Sequence, residues 1–150
     1  MRLGDQREEA AATLGIQVHP ASISSDRDFD PAFESLAQLR VGALDVSDDP
    51  FHLSRRERIV ALAARYHIPA LYSHIEYVKA GGLMSYGPTG AGNPVIVGDY
   101  ACRILKGEKP ADLPVQQSTK VELIINMKTA KALGLIVPLT LRVRADEVIE

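Results

Sequence analysis

Apolar residues follow two rhythms along this chain: short runs of strand length, and stretches in which every third or fourth position is apolar. The strand-like runs are Ile16–Val18, Val41–Ser47, Ile68–Ser73, Leu83–Tyr86 and Val121–Ile125. Between them lie helical patterns. Asp5–Leu14 ends at Gly15, a C-cap glycine. Asp30-Pro31 supplies an N-cap and a first-turn proline ahead of Phe33, Leu36, Ala37 and Arg40. Ser54 and Glu57 have the spacing of a capping box, with Ile59, Leu62, Ala63 and Tyr66 on one face behind them. A turn over Glu76–Ala80 meets Gly81-Gly82. Asn93-Pro94 opens a helix that ends at Lys106-Gly107 and carries Val97, Ala101, Ile104 and Leu105 on one side. Asn126 caps Met127–Leu133, which Gly134 closes. The turn-rich run Gly87–Pro94 and the proline-bearing connector Glu108–Thr119 separate the last elements, and the tail after Pro138 has no clear period.

Strands and helices that alternate in this way predict an α/β fold, a parallel-sheet, Rossmann- or flavodoxin-like lobe. Ligands of such sheets sit outside the carboxyl ends of the strands. The functional residues are therefore expected in Asp48-Asp49-Pro50-Phe51, Tyr72-Ser73-His74 and Ser85-Tyr86-Gly87.

Composition narrows the picture. The chain has 150 residues, enough for one domain with a real core, and its net charge of −2 offers no basic field for nucleic acid. No apolar run approaches the ~20 residues of a membrane span. The single cysteine, Cys102, excludes an internal disulfide framework or a cysteine-built zinc site, and the helical pattern reads it as a packed thiol. Met1–Asp5 turns polar at once, so no secretory leader is read there, and the chain as written is expected in the cytoplasm.

Catalytic signatures are missing. Gly87–Gly92 lacks the Gly-Lys-Ser/Thr ending of a P-loop, and neither a dinucleotide fingerprint nor a Gly-x-Ser-x-Gly elbow occurs. The four histidines are scattered, so no metal site is read. The sequence implies no cofactor and no enzyme. What remains is pocket chemistry: Phe51, Tyr72, Tyr77 and Tyr86 for flat apolar surface, and Asp49, Ser73, Glu76 and Ser85 for hydrogen bonds to a small polar ligand.

Six runs, taken together, carry a resemblance: Asp49-Pro50-Phe51; Arg56 to Arg65; Ile68-Pro69-Ala70-Leu71-Tyr72; Ala80-Gly81-Gly82-Leu83-Met84-Ser85-Tyr86-Gly87-Pro88; Arg103 to Val115; and Val121 to Gly134. In order and spacing they resemble the ABC-transporter substrate-binding family, related to tryptophan/tyrosine-type periplasmic binding proteins. The resemblance covers about Asp5 to Glu150 and implies the second lobe of a type I periplasmic binding fold. It also implies a small amino-acid-like or aromatic solute held in a cleft between lobes, permease subunits as partners and a periplasmic location.

Against that family the chain is about half the expected length. The first lobe and the leading strand of the second are missing, Ile75 stands where an arginine is common, and Gly90–Pro94 interrupts the start of a helix. The whole chain is expected to be one truncated lobe, with about 83–107 crossing toward the missing one. Its exposed apolar face is expected to be covered by a second copy, giving a homodimer. The rival readings are a dimerising, non-transport remnant with no specific ligand and, further off, an enzyme on a flavodoxin-like scaffold.

Overall fold

A computed structural model describes residues 9–88, 94–114 and 121–150 of the protein. The chain forms two compact units, one ending at Val41 and the other running Gly42–Glu150. In the first unit, helix α1 (9–13) stops at Gly15, which adopts a left-handed φ of 67°. Ile16–Val18, expected as a strand, pairs with nothing among the described residues, and Ile16 and Val18 are exposed. So short an apolar run becomes a strand only where a sheet edge accepts it. Helix α2 (Phe29–Gln38) buries Phe29, Phe33 and Leu36, a spacing of three to four residues. It starts earlier than Asp30-Pro31 would place it. Asp28 takes the N-cap position instead, and its carboxylate accepts the amides of Ser24 at 3.0 Å and Ser25 at 2.7 Å.

The second unit is built on a five-stranded sheet, in the order β1 (Leu44–Asp45), β2 (Ala70–Tyr72), β3 (Met84–Pro88), β4 (Val121–Asn126), β5 (Glu147–Ile149). β1, β2 and β3 are parallel, and β4 and β5 are parallel to each other. The β3–β4 pair is antiparallel, from Met84 opposite Ile125 to Pro88 opposite Val121. The sheet is thus mostly parallel, as expected, with one reversal. The long connection from β3, through helix α6 (Pro94–Leu105), returns the chain in the opposite sense. Only Leu44 and Asp45 of the expected run Val41–Ser47 enter the ladder, because β1 is an edge with one neighbour.

Helix packing follows the sequence closely in places. Helix α4 (Arg56–Arg65) buries Ile59, Val60, Leu62 and Ala63, and helix α5 (Ile75–Lys79) buries Tyr77 and Val78. Asn126 caps helix α7 (Met127–Ala132), its side-chain oxygen accepting from Thr129 N at 3.1 Å. Gly107 and Gly134 stop their helices as expected. Helix α8 (Leu139–Arg144) and β5 occupy the tail that has no clear period.

The capping box at Ser54–Glu57 does not form. Asp49-Pro50 starts helix α3 (Pro50–Ser54), so Ser54 falls in a last turn and its hydroxyl donates to Phe51 O at 2.7 Å. The asparagine cap of α6 at Asn93, the loop at 89–93, the first helix before residue 9 and the connector at 115–120 lie outside the described residues. The apolar stripe of α6 is present but uncovered among the described residues: Val97, Ile104 and Leu105 are exposed, and so is Cys102, which is not the packed thiol expected.

At the centre of the second unit Tyr72 and Tyr77 stack at 4.4 Å with rings 9° from parallel. Each is 1% exposed. The stack needs two adjacent glycines for two different reasons. Gly81 has φ of 100°, and the amides of Gly81 and Gly82 reach back to Val78 O and Tyr77 O, a Schellman ending for α5. Gly82 is needed for space: a Cβ there would lie 2.6 Å from the Tyr72 ring and 2.8 Å from Tyr77 O. Gly82→Ala is therefore expected to lower stability by about 1–3 kcal/mol, the usual cost of overpacking. Urea unfolding checks this; an unchanged midpoint would show that the tyrosine stack gives way freely.

Candidate functional site at the strand tips

The parallel strands β1 and β2 end side by side, and the segments after them carry most of the chemistry the sequence singles out. After β1 come Asp48, Asp49 and Phe51. Asp49 is exposed and is the N-cap of α3, its carboxylate accepting from Phe51 N at 2.7 Å. The Asp49-Pro50 pair thus starts a helix as well as following the strand. Phe51 is half-buried, its ring under the Arg55 guanidinium at 4.0 Å and edge-on to His52. Arg55 is thus an aromatic partner.

After β2 come Ser73, His74 and Glu76. The Ser73 hydroxyl oxygen is buried with no hydrogen-bond partner among the described residues. Glu76 is exposed in the first turn of α5. His74 Nε2 lies 2.7 Å from Asp48 Oδ1, tying the end of β2 to the end of β1 across 26 residues of chain. The backbone of Ser73 is pressed against β3 as well: a Cβ on Gly87 would lie 2.0 Å from Ser73 O, so this strand tip admits only glycine. The glycine of the turn-rich loop thus serves close packing.

The remaining predicted residues lie elsewhere on the sheet. Tyr72 is in the core stack, and Ser85 is 2% exposed, paired in register with Tyr72 on one side and Ile124 on the other. Neither side chain is open to solvent in this state. Tyr86, the next residue on β3, points the opposite way and is 59% exposed. The structure therefore brings Asp49, Phe51, Ser73 and Glu76 to adjoining tips, with Tyr86 on the next strand. It adds Asp48 and His74, whose pairing the sequence did not single out. The available signal was that both fall within three residues of the ends of neighbouring strands.

Tyr77 connects this ledge to the core. Burial pushes its phenol up to about 12, helped by the nearby carboxylates of Asp48 and Asp49 and opposed by the Arg56 guanidinium. Burial, then the neighbouring Tyr77, also raises Tyr72. No group of three or more histidine, cysteine or acidic side chains among the described residues could hold a metal. A shallow groove of about 340 Å³ in the first unit is lined by His19, Ser22, Ser35, Leu36 and Leu39, among others, and includes no predicted site residue.

A mostly parallel sheet of this kind takes its ligands beyond the carboxyl ends of its strands. Residues 6–149 match the family described as ABC transporter substrate binding protein, and the chain belongs to that family. It is similar to a conserved domain protein of Vibrio cholerae O1 biovar El Tor, with 26% identity and a TM-score of 0.87 over 97% of this chain and 49% of that one. It is similar to an ABC domain in complex with L-Trp from Streptococcus pneumonia, with 28% identity and a TM-score of 0.85 over 97% of this chain and 50% of that one. It also resembles CD0873 of Clostridium difficile, a substrate binding protein with adhesive properties solved ligand-free and open, at 25% identity and a TM-score of 0.66 over 97% of this chain and 48% of that one. The chain thus spans about half the length of these solved structures. A comparison with curated proteins gives no match.

The tyrosine stack predicts a pH dependence. The unfolded chain releases a tyrosine proton near 10, whereas folded Tyr77 holds it up to about 12. The stabilisation is therefore complete below about pH 10 and is lost as pH rises through the folded value. Thermal midpoints measured from pH 9 to 12 should fall steadily above 10, and less steeply in Tyr77→Phe. A wild-type midpoint that stays level to pH 12 contradicts the assignment.

Proposed function

We propose that this chain supplies one wall of the binding cleft of an ABC import system and holds a small amino-acid-like or aromatic solute there, without changing it chemically. The observation that carries the reading is the family membership, joined to the position of Asp49, Phe51, Ser73 and Glu76 just past two neighbouring parallel strands. Phe51, half-buried and backed by Arg55, offers a flat face to an aromatic or aliphatic group. Asp49 and Glu76 offer acceptors to an ammonium or hydroxyl. Ser73, just past β2, has a buried hydroxyl with no partner among the described residues. Tyr86 offers a further exposed ring on β3, and Tyr72 and Ser85 stay buried in the sheet behind the strand tips. The L-Trp held by the pneumococcal neighbour supports an aromatic amino acid as the first solute to test.

In this reading the protein works in the periplasm and presents its solute to permease subunits, with residues 83–107 crossing toward a second lobe. The solute stabilises the closed arrangement by binding it better than the open one. Thermal-shift screening of the protein against the twenty amino acids and simple aromatic acids tests it. A solute at a hundredfold excess over its Kd stabilises by about 2.7 kcal/mol, a rise of several degrees. Phe51→Ala should abolish that rise, and a level response across the library would refute solute binding.

A second reading has one observation in its favour. Val97, Ile104 and Leu105 of α6 are 63%, 41% and 86% exposed, a face costly to leave in water. A homodimer that buries this face would serve a solute-binding protein or an interaction module with no ligand. Light scattering at high concentration should give twice the chain mass, and Val97→Asp with Leu105→Asp should halve it. A monodisperse monomer removes the dimer from either reading.

A further inference from the structure

We propose that His74 is a positioning residue, which acts through Asp48 to hold the tips of β1 and β2 at the spacing the solute requires. The inference rests on the ledge reading above and adds to it a residue that need not touch the solute. Backbone pairing between the two strands is short. It joins Leu44 to Ala70 and Asp45 to Leu71, and ends with Val46 N donating to Leu71 O at 3.0 Å. Beyond that point, where the predicted solute contacts begin, the chains diverge into α3 and α5. The bond from His74 Nε2 to Asp48 Oδ1 spans this unpaired stretch at 2.7 Å.

The placement of His74 supports a dedicated role. It occupies the N-cap position of α5, with extended backbone, yet its side chain makes no capping bond. A serine, threonine or aspartate there would cap the helix. The imidazole is instead committed to a carboxylate on another strand's tip. It is mostly shielded, at 18% side-chain exposure, so water competes weakly on its side of the bond, although Asp48 is 63% exposed. The two adjacent aspartates divide the work: Asp48 holds the histidine, and Asp49 holds the start of α3 and so the position of Phe51. Ser73, with its unused hydroxyl, immediately precedes the histidine. Release of His74 therefore frees both sides of the ledge, with Phe51 on one and Ser73 and Glu76 on the other.

Hydrogen exchange of the full chain, read by mass spectrometry over residues 46–53 and 72–78, tests the clasp without a solute. His74→Ala should speed exchange in both segments by about tenfold, the equivalent of one hydrogen bond to a charged group. Asp48→Ala should do the same, and the double variant should go no further than either single one. His74→Gln, which restores an N–H donor to Asp48, should recover slow exchange in both segments. Faster exchange confined to 72–78, or no change, overturns the proposal, as does additivity in the double variant. Titration with L-tryptophan forms the second arm: His74→Ala should weaken binding and His74→Gln should restore it. If the wild-type protein binds neither L-tryptophan nor any other library member, the ledge reading fails, and the exchange result still decides whether the clasp exists.

Discussion

The second unit depends on a constraint of space: two tyrosine rings must lie face to face against a backbone that carries no side chain at Gly82. Tyr72 comes from β2, Tyr77 from α5, and Gly82 from the turn into β3. One stack thus ties together three consecutive elements. It is reinforced from outside by Thr129 of α7, whose hydroxyl donates to Gly81 O at 2.8 Å across 48 residues of chain. Large buried aromatics contribute both area and geometry, so this cluster accounts for the order of a region whose strands are only two to six residues long.

The same stack lies beneath the tips of β1 and β2. Tyr77 senses the charges of Asp48 and Asp49, so the floor of the ledge is part of the core. Side chains on packed elements are held more accurately than side chains on free loops. Here Asp49 and His74 are both N-cap residues, of α3 and α5, and Gly87 locks the intervening backbone of Ser73 against β3. The buried Ser73 hydroxyl breaks the rule that interior polar groups are paired, and such breaks concentrate where a protein meets a ligand.

Local chemistry was legible in the sequence; competition between local signals was not. Asn126 caps α7 and Gly107 stops α6 because nothing nearby offers a better alternative. Ser54 and Glu57 spell a valid capping box, but Asp49-Pro50 upstream is a stronger start and absorbs Ser54 into the helix it initiates. At Asp30-Pro31 the preceding 3-10 turn over Asp26–Asp28 runs directly into the helix, so Asp28 takes the N-cap position while its carboxylate binds back to Ser24 and Ser25. The rhythm of strands and helices carried the α/β class, and the rule that ligands sit beyond strand ends pointed to Asp48–Phe51, Tyr72–His74 and Ser85–Gly87. It did not reveal the reversal at β4, because a connection as long as residues 89–120 permits either direction. Nor did it reveal the bond between Asp48 and His74, which depends on the β1–β2 register.

The apolar face of α6 follows from the same logic of elements and surfaces. An amphipathic helix is stable when its stripe is covered, and most helical stability comes from that packing. In α6 the stripe is well formed in sequence and open in the structure, while the end of the helix is secured by polar means. The Arg103 guanidinium lies against Glu108 and near Asp99, and Tyr100 donates to Pro114 O at 2.5 Å. The ion pair holds Arg103 protonated and keeps the Glu108 carboxyl below its usual range. These contacts fix the helix to its own connector and leave the Val97–Leu105 side for another surface. A helix tethered in this way presents its apolar side in a defined direction, which is what recognition by a second lobe or a second copy requires.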